Sequence, residues 1–365
     1  MGSIAVAIGG SLGGLTAAIK LKETYDEVYC LIGTKEYEES SNKGMTRGLR
    51  TYNLEEELLE IVIEGWEYWK QIGVYGDLIK ECIIHRLYEK NVHEFSEKHK
   101  KLLNILAEIS PNVRKRKSVQ LNENTLLEDT GIYKIQEIVH QLKIIAQEKG
   151  VYISAVHVND IMDEEVYIKI NVVDIEENEY EIKCDRCIIS IGNSIKHINT
   201  NIKYTKPIPV WNEFTYFFIP GLKTHDGIWT WGTKAYETQK INNHRLGFYI
   251  MLEKKEVIKV ACDTSYVHDK NKLSLENLEA YRNHKDMFVT KYLNLKFTTK
   301  EYSDCYYSVA PFVQHSGKIS IINAGGYGYC VPGFILRALD YKYVPNNKHF
   351  YEHLGDMHFH NLSTF

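Results

Sequence analysis

Three small residues in the stretch IGGSLGGLTAAIKL, Gly9, Ser11 and Gly14, fill the three places of G-x-G-x-x-G directly after an apolar run, Ile4 to Ile8. That spacing suits a tight turn whose backbone must approach a pyrophosphate, with the last small residue allowing a helix to pack close to a strand. Serine at the second place is small enough to leave the approach open, and the helix that starts there aims its N–H groups and positive end at the anion. Three other places hold groups capable of chemistry. Arg47 and Arg50 stand three apart after Thr46, Lys259 sits between Ile258 and Val260, and Cys305 lies in DCYYSVAP. Taken alone, Arg47 suits an ion pair with one of many glutamates, and Arg50 one with Glu55 or Glu56. Lysine inside an apolar strand either points outward by alternation or is buried for a reason. A lone cysteine suits a small buried hydrophobe.

The elements around the glycines fit the same reading. Ile4 to Ile8 is a β-branched run suited to a strand buried on both faces, LTAAIKLKE reads as a helix, and VYCLIG, Val28 to Gly33, as a second strand. Strand, glycine turn, helix and strand form the βαβ unit of a dinucleotide-binding fold. The acid expected at the end of the second strand to hold a ribose is replaced by Gly33, with Glu36 and Glu38 the nearest acids. Further on, TGIYKIQEIVHQLKIIAQEKG is patterned as an amphipathic helix. VYISAVHVNDI, YIKINVVDI and YEIKCDRCIISIG each read as a strand, the last two joined by a turn at EENE. From Pro207, the aromatic segments PVWNEFTYFFIP, GIWTWGT, LGFYIMLE and EVIKVACD read as a second, mainly antiparallel sheet. KISIINAGG then returns to a buried strand and a glycine turn.

The 365 residues give room for two domains, and 44 basic against 48 acidic residues leave a net charge of −4, which attracts neither nucleic acid nor an anionic lipid surface. RKRK at 114–117 is too short a basic run to change that and reads as a solvated face. Seven cysteines, an odd number in a chain too large to need disulfide staples, point to a reducing compartment, and the apolar N-terminus lacks the basic region of a signal peptide. The expectation is a soluble, cytoplasmic, monomeric protein that acts on a small molecule. His349, His353, His358 and His360 crowd the C-terminus, a kind of segment that is often loose, and no metal is expected.

SSNKGMTRGLRTYN, followed by LEEELLEIVIEGWEYWKQIG, resembles the T-R-x-x-R segment and helix of the amine-oxidising flavoenzymes of the sarcosine oxidase and N-methyltryptophan oxidase group, within the D-amino-acid-oxidase-like fold. The resemblance continues in order through DTGIYKIQEIVHQL, RCIISIGNS, EVIKVACD, DCYYSVAP and INAGGYGYCVPGF, covering nearly the whole chain. It implies a mixed α/β fold, with a Rossmann-like FAD-binding domain (1–80, 128–205 and 305–347), an antiparallel substrate domain (81–127 and 206–304) and a tail (348–365). It implies FAD held by Gly9, Ser11, Gly14, Thr46, Arg47, Gly192, Gly325, Gly328 and Gly333, and bonded covalently through Cys305. The substrate would be an amine whose C–N bond is oxidised by transfer of a hydride equivalent to the flavin, with O2 as acceptor and H2O2 as product. Arg47 would stabilise the electron-rich reduced ring, Arg50 would grip a substrate carboxylate, Lys259 would activate oxygen, and Tyr249, beside Phe248, would line the pocket.

The departures from the pattern narrow the substrate. Ile335 stands where the group keeps a lysine for the substrate carboxylate, Arg337 lies two residues further on, and Asp263 replaces a histidine. A simple N-methylamino acid fits poorly; a secondary, cyclic or imino-type amine stacking on aromatic residues such as Tyr327 and Tyr329 fits better, as in a specialised-metabolite tailoring oxidase. Three other readings stay open: a dehydrogenase of the same fold with another acceptor, a monooxygenase reduced by NAD(P)H, and a flavin-binding relic without catalysis.

Overall fold

The computed structural model describes residues 2–33, 46–49, 56–85, 97–111, 119–122, 125–204, 209–222, 228–231, 240–241, 244–245, 248–262, 274–292, 294–308, 312–323 and 328–340. Its nucleus is a six-stranded sheet in the order 312–316, 319–323, 186–189, 4–8, 27–32 and 152–155, parallel except for the first strand. Alternation along Ile4–Ile8 builds three layers from it. Ala5 and Ala7 face a helical layer formed by Leu12–Leu21, Glu56–Gln71, Ile135–Glu148 and Val331–Leu339, with Leu15, Ile19, Trp66, Trp69 and Phe334 at its core. Val6 and Ile8 face the antiparallel meander His157–Asp163, Ile168–Val173 and Glu179–Cys184, against Ile161, Ile168, Ile170 and Val172. Small residues on one side let the helices approach closely, and larger ones on the other fill the gap to the meander.

Two runs that read as single strands are each divided between two sheets. Residues 151–161 give Tyr152–Ala155 in the parallel sheet and then His157–Asp163 in the meander. The stretch 180–192 breaks at Asp185, whose side chain accepts from the Ile4 amide at 2.9 Å and whose amide donates to the Ile4 carbonyl at 2.8 Å, so that Arg186–Ile189 joins the parallel sheet. The helix expected from Thr130 starts at Ile135, because residues up to Lys134 complete the strand Thr125–Lys134.

A second antiparallel sheet follows the order Phe248–Lys254, Val257–Cys262, Pro209–Phe218 and Thr299–Ser308. Its last strand crosses residue 305 and so sets Cys305 in this sheet, opposite Asn212. A further sheet joins Thr46–Gly48, Thr125–Lys134, Ile79–His85 and Ile228–Trp231, with Val119–Asn122 paired to Thr125–Lys134. The chain is thus mixed α/β, as its pattern predicts. Among the described residues no helix is long and apolar enough to cross a membrane.

Candidate active site

The glycine turn lies at the C-terminal end of the central parallel strand, where neighbouring strands leave in opposite directions, 27–32 on one side and 186–189 on the other. Such a switch point opens a crevice for a ligand. Gly9 has φ +138, and a Cβ on it would meet the Ser190 carbonyl at 2.5 Å; one on Gly14 would run into the Gly9 carbonyl. The backbone is therefore drawn tight by steric need, and Ser11 stands as the cap of the Leu12–Leu21 helix without its hydroxyl capping it. The first-turn amides of that helix are the donors an anion would meet. Built this way, the turn fits a dinucleotide pyrophosphate.

The second antiparallel sheet has two unlike faces. One packs on the helix Leu275–Met287 through Trp211, Phe217, Ile258, Val260, Tyr281 and Phe288. On this face Glu213 and Lys285, both fully buried, form an ion pair at 3.2 Å; Arg282 grips the same carboxylate, and the Lys285 ammonium also donates to the Glu213 carbonyl and to Thr215 Oγ1. The other face carries Phe214, Tyr216, Lys259, Ala261 and Cys305. Alternation sends Lys259 away from its neighbours Ile258 and Val260, yet not into water: the side chain is 0% exposed. Its ammonium pairs with Glu253 at 2.9 Å and stands 5.2 Å from the centre of the Phe214 ring.

Arg47 reaches the same ring from another sheet. Its strand, Thr46–Gly48, pairs with Thr125–Lys134, opposite Tyr133, and its guanidinium carbon lies 6.0 Å from the centre of Phe214. Residues 47, 259 and 305, far apart in the chain, thus converge around Phe214. Burial and the Arg47 charge pull the Lys259 ammonium down to about 8 against the opposing pull of Glu253. Burial and the Glu253 carboxylate push the Tyr216 phenol up. The site sets a half-buried and a fully buried cation on one ring, and the buried one acts more strongly on an electron-rich partner than it would in water.

The remaining predicted positions divide. Gly192 opens the turn Gly192–His197, which packs against Thr299–Ser308 and follows directly on Ser190 and Ile191, linking the glycine turn to the strand of Cys305. Gly328 lies against Tyr133, whose hydroxyl would be 2.7 Å from a Cβ there. Gly333 has a packing reason of its own: it meets Gly65 where the helices Val331–Leu339 and Glu56–Gln71 cross, and a Cβ would run into the Ile61 carbonyl. Ile335 is fully buried in the helical layer, and Arg337 is held by Glu64 at 2.8 Å, so neither turns a cation towards Phe214. Tyr249 pairs with Ala261 in the ladder, and Thr46 lies in its strand, but their side chains fall outside the described residues. So do Gly325 and Arg50, with Glu36, Glu38, Asp263, Tyr327 and the C-terminal histidines. Among the described residues no group of three or more His, Cys, Asp or Glu could hold a metal ion.

Sequence reasoning passed over Phe214, Glu253 and Ser190. Phe214 and Tyr216 alternate in FTYFF like any core strand, so nothing local distinguishes them. Glu253 had a weak signal, as an acid one short turn before a strand with one internal lysine, but its pairing depends on a bulge between Leu252 and Lys254.

No protein-family model matches the chain, and no curated protein sequence is similar to it. Solved structures do share its fold. The open form of NikD, an unusual amino acid oxidase essential for nikkomycin biosynthesis, is 12% identical, with 96% of each chain covered and a TM-score of 0.65. L-proline dehydrogenase from P. horikoshii is 15% identical over 93% of this chain and 92% of its own, with a TM-score of 0.62. Glycine oxidase from Geobacillus kaustophilus is 12% identical over 96% and 97%, with a TM-score of 0.58. At these identities the likeness is one of fold, and it is the fold that the sequence resemblance implied: a mixed α/β architecture with a Rossmann-like unit, shared with amino-acid oxidases and dehydrogenases.

Proposed function

We propose that the chain is an FAD-dependent oxidoreductase acting on the C–N bond of a secondary, cyclic or imino-type amine, with O2 as acceptor and H2O2 as product. The observation that carries this reading is the convergence of Arg47, Lys259 and Cys305 around Phe214, on a sheet connected through the Gly192 turn to the glycine crevice. FAD, when bound, supplies the acceptor for the hydride equivalent leaving the substrate carbon. Gly9, Ser11 and Gly14 would hold its pyrophosphate, with Thr46, Gly192, Gly325, Gly328 and Gly333 completing the cofactor site. Arg47 supplies a fixed positive charge that favours the reduced state, and Lys259 supplies a second, placed for the reaction with oxygen. Cys305 offers its sulfur for a thioether to the flavin, which would prevent cofactor loss. Arg50 and Tyr249 are assigned to the substrate. With Ile335 in the core and Arg337 bound to Glu64, the usual lysine for a substrate carboxylate has no counterpart among the described residues, which favours amines recognised by stacking.

The test is the visible spectrum of the purified protein before and after acid precipitation, alongside a Cys305→Ala variant and a peroxide assay with a panel of cyclic amines. A yellow pellet that becomes colourless in the variant, with peroxide formed on amine addition, is the expected result. Colour wholly in the supernatant would remove the thioether. Amine-dependent bleaching without peroxide would make the protein a dehydrogenase, the activity named for the P. horikoshii structure of the same fold. Bleaching by NADPH alone would point to a monooxygenase. Protein that is colourless from the start would overturn the reading.

A further inference from the structure

Glu253 has no part in the function proposed above, yet its side chain is only 5% exposed and lies 2.9 Å from the ammonium of a fully buried lysine. Acids are rarely buried this deeply unless a charge partner requires it. How it gets there is informative. In an unbroken hairpin with Lys254 opposite Val257, Glu253 would face Ile258 and lie on the helix side of the sheet. Instead the ladder shifts: Lys254 pairs with Val257, Leu252 with Ile258 and Met251 with Lys259, which leaves Glu253 as the bulged residue. Bulges re-aim side chains, often beside functional sites, and this one brings a carboxylate to the Phe214 face.

The groups around the ammonium come from four strands. Arg47 is on Thr46–Gly48, Glu253 on Phe248–Lys254, Cys305 on Thr299–Ser308, and Tyr216, its ladder partner, on Pro209–Phe218. Arg47 and Lys259 share the Phe214 ring at 6.0 and 5.2 Å, and Glu253 is the one carboxylate among these groups. Without it, two cations would share the Phe214 ring, one of them fully buried, and the lysine, which can shed its proton, would give way to the arginine, which cannot.

We infer that Glu253 is a positioning residue that keeps Lys259 protonated and fixed on the Phe214 face, and so sets the upper pH limit of the site's reaction with oxygen. The inference rests on the proposed role of Lys259 in that reaction. Above the limit Lys259 is neutral and the pocket keeps a single cation, Arg47. Burial and the Arg47 charge already draw Lys259 down against the carboxylate's pull, so loss of the carboxylate would weaken its hold on the proton further.

The experiment is a pH titration of 13Cε-lysine NMR signals in the full-length protein, with Lys259 assigned by Lys259→Met, in wild type, Glu253→Gln and Glu253→Asp. In parallel, the rate at which the reduced protein consumes oxygen is followed against pH. In Glu253→Gln the Lys259 midpoint should fall by at least about one unit, a tenfold loss of proton affinity, and the alkaline limb of the oxygen reaction should fall with it. Glu253→Asp keeps the charge and should lower the midpoint less than glutamine does; if the glutamine variant fails to fold, Glu253→Ala stands in, and an unmoved midpoint there overturns the inference. An unmoved midpoint in a folded Glu253→Gln overturns it too. A midpoint that falls while the oxygen profile stays fixed overturns the link to oxygen and leaves the buried pair structural. Protein without flavin would sink the proposed function, and the NMR titration would still decide the pairing.

Discussion

The clearest energetic test lies behind the site, in the Glu213–Lys285 pair. Both side chains are fully buried, and Glu213 directly precedes Phe214 in its strand. Replacing Glu213 with glutamine leaves the Lys285 ammonium in a dry environment with only neutral acceptors, the Glu213 carbonyl at 2.6 Å and Thr215 Oγ1 at 3.0 Å. Breaking a buried pair from one side costs about 3–5 kcal/mol. The two neutral acceptors remain and the glutamine carbonyl can accept, so the lower end, about 3 kcal/mol, is expected. Adding Lys285→Met removes the fully buried stranded charge, leaving the partly exposed Arg282 to water, and inserts an apolar chain beside Tyr281, whose ring centre is already 4.1 Å from the ammonium. The double variant should therefore be about 2 kcal/mol more stable than the sum of the two single losses predicts, a coupling within the range seen for contacting residues. Urea unfolding of the two single variants and the double at pH 7 measures this directly. If the double variant is as unstable as the sum of the singles, the stranded ammonium is not the source of the loss and the reasoning fails.

Two further outcomes follow from the site itself. Lys259 binds its proton more weakly in the fold than in the unfolded chain, about 8 against 10.5, so the unfolded state holds more protons between these values and stability must rise with pH across that window. The rise attributable to this residue is about 3 kcal/mol, at 1.36 kcal/mol per unit; a Lys259→Met variant whose stability, followed by urea unfolding, climbs between pH 8 and 10.5 as steeply as wild type contradicts it. Gly14→Ala drives a Cβ into the Gly9 carbonyl, which only a shift of the turn can relieve. Purified Gly14→Ala should carry far less flavin than wild type at equal folded content by circular dichroism, and equal flavin content would count against the turn as the pyrophosphate site.

Much of the first unit could be read without coordinates. The glycine spacing, the β-branched run before it and the amphipathic helix after it are local patterns, and each corresponds to an element of the structure. Where one apolar run feeds two sheets, the pattern was silent. Tyr152–Ala155 and His157–Asp163 differ in their partners and not in their periodicity. The Asp185 break likewise depends on Ile4, 181 residues away.

By itself the sequence determined which residues could alternate to the two sides of a strand, and hence that Lys259 must leave the face of Ile258 and Val260. It also determined where the backbone had to be bare, at Gly9 and Gly14. Only the tertiary structure decided what Lys259 meets there: Phe214 from one strand, Arg47 at a distance from another sheet, Cys305 from the last strand, and Glu253 by way of a single bulged residue. The physical reason is that side-chain period is a property of one strand, whereas register belongs to a pair, and a slip of one residue exchanges the faces.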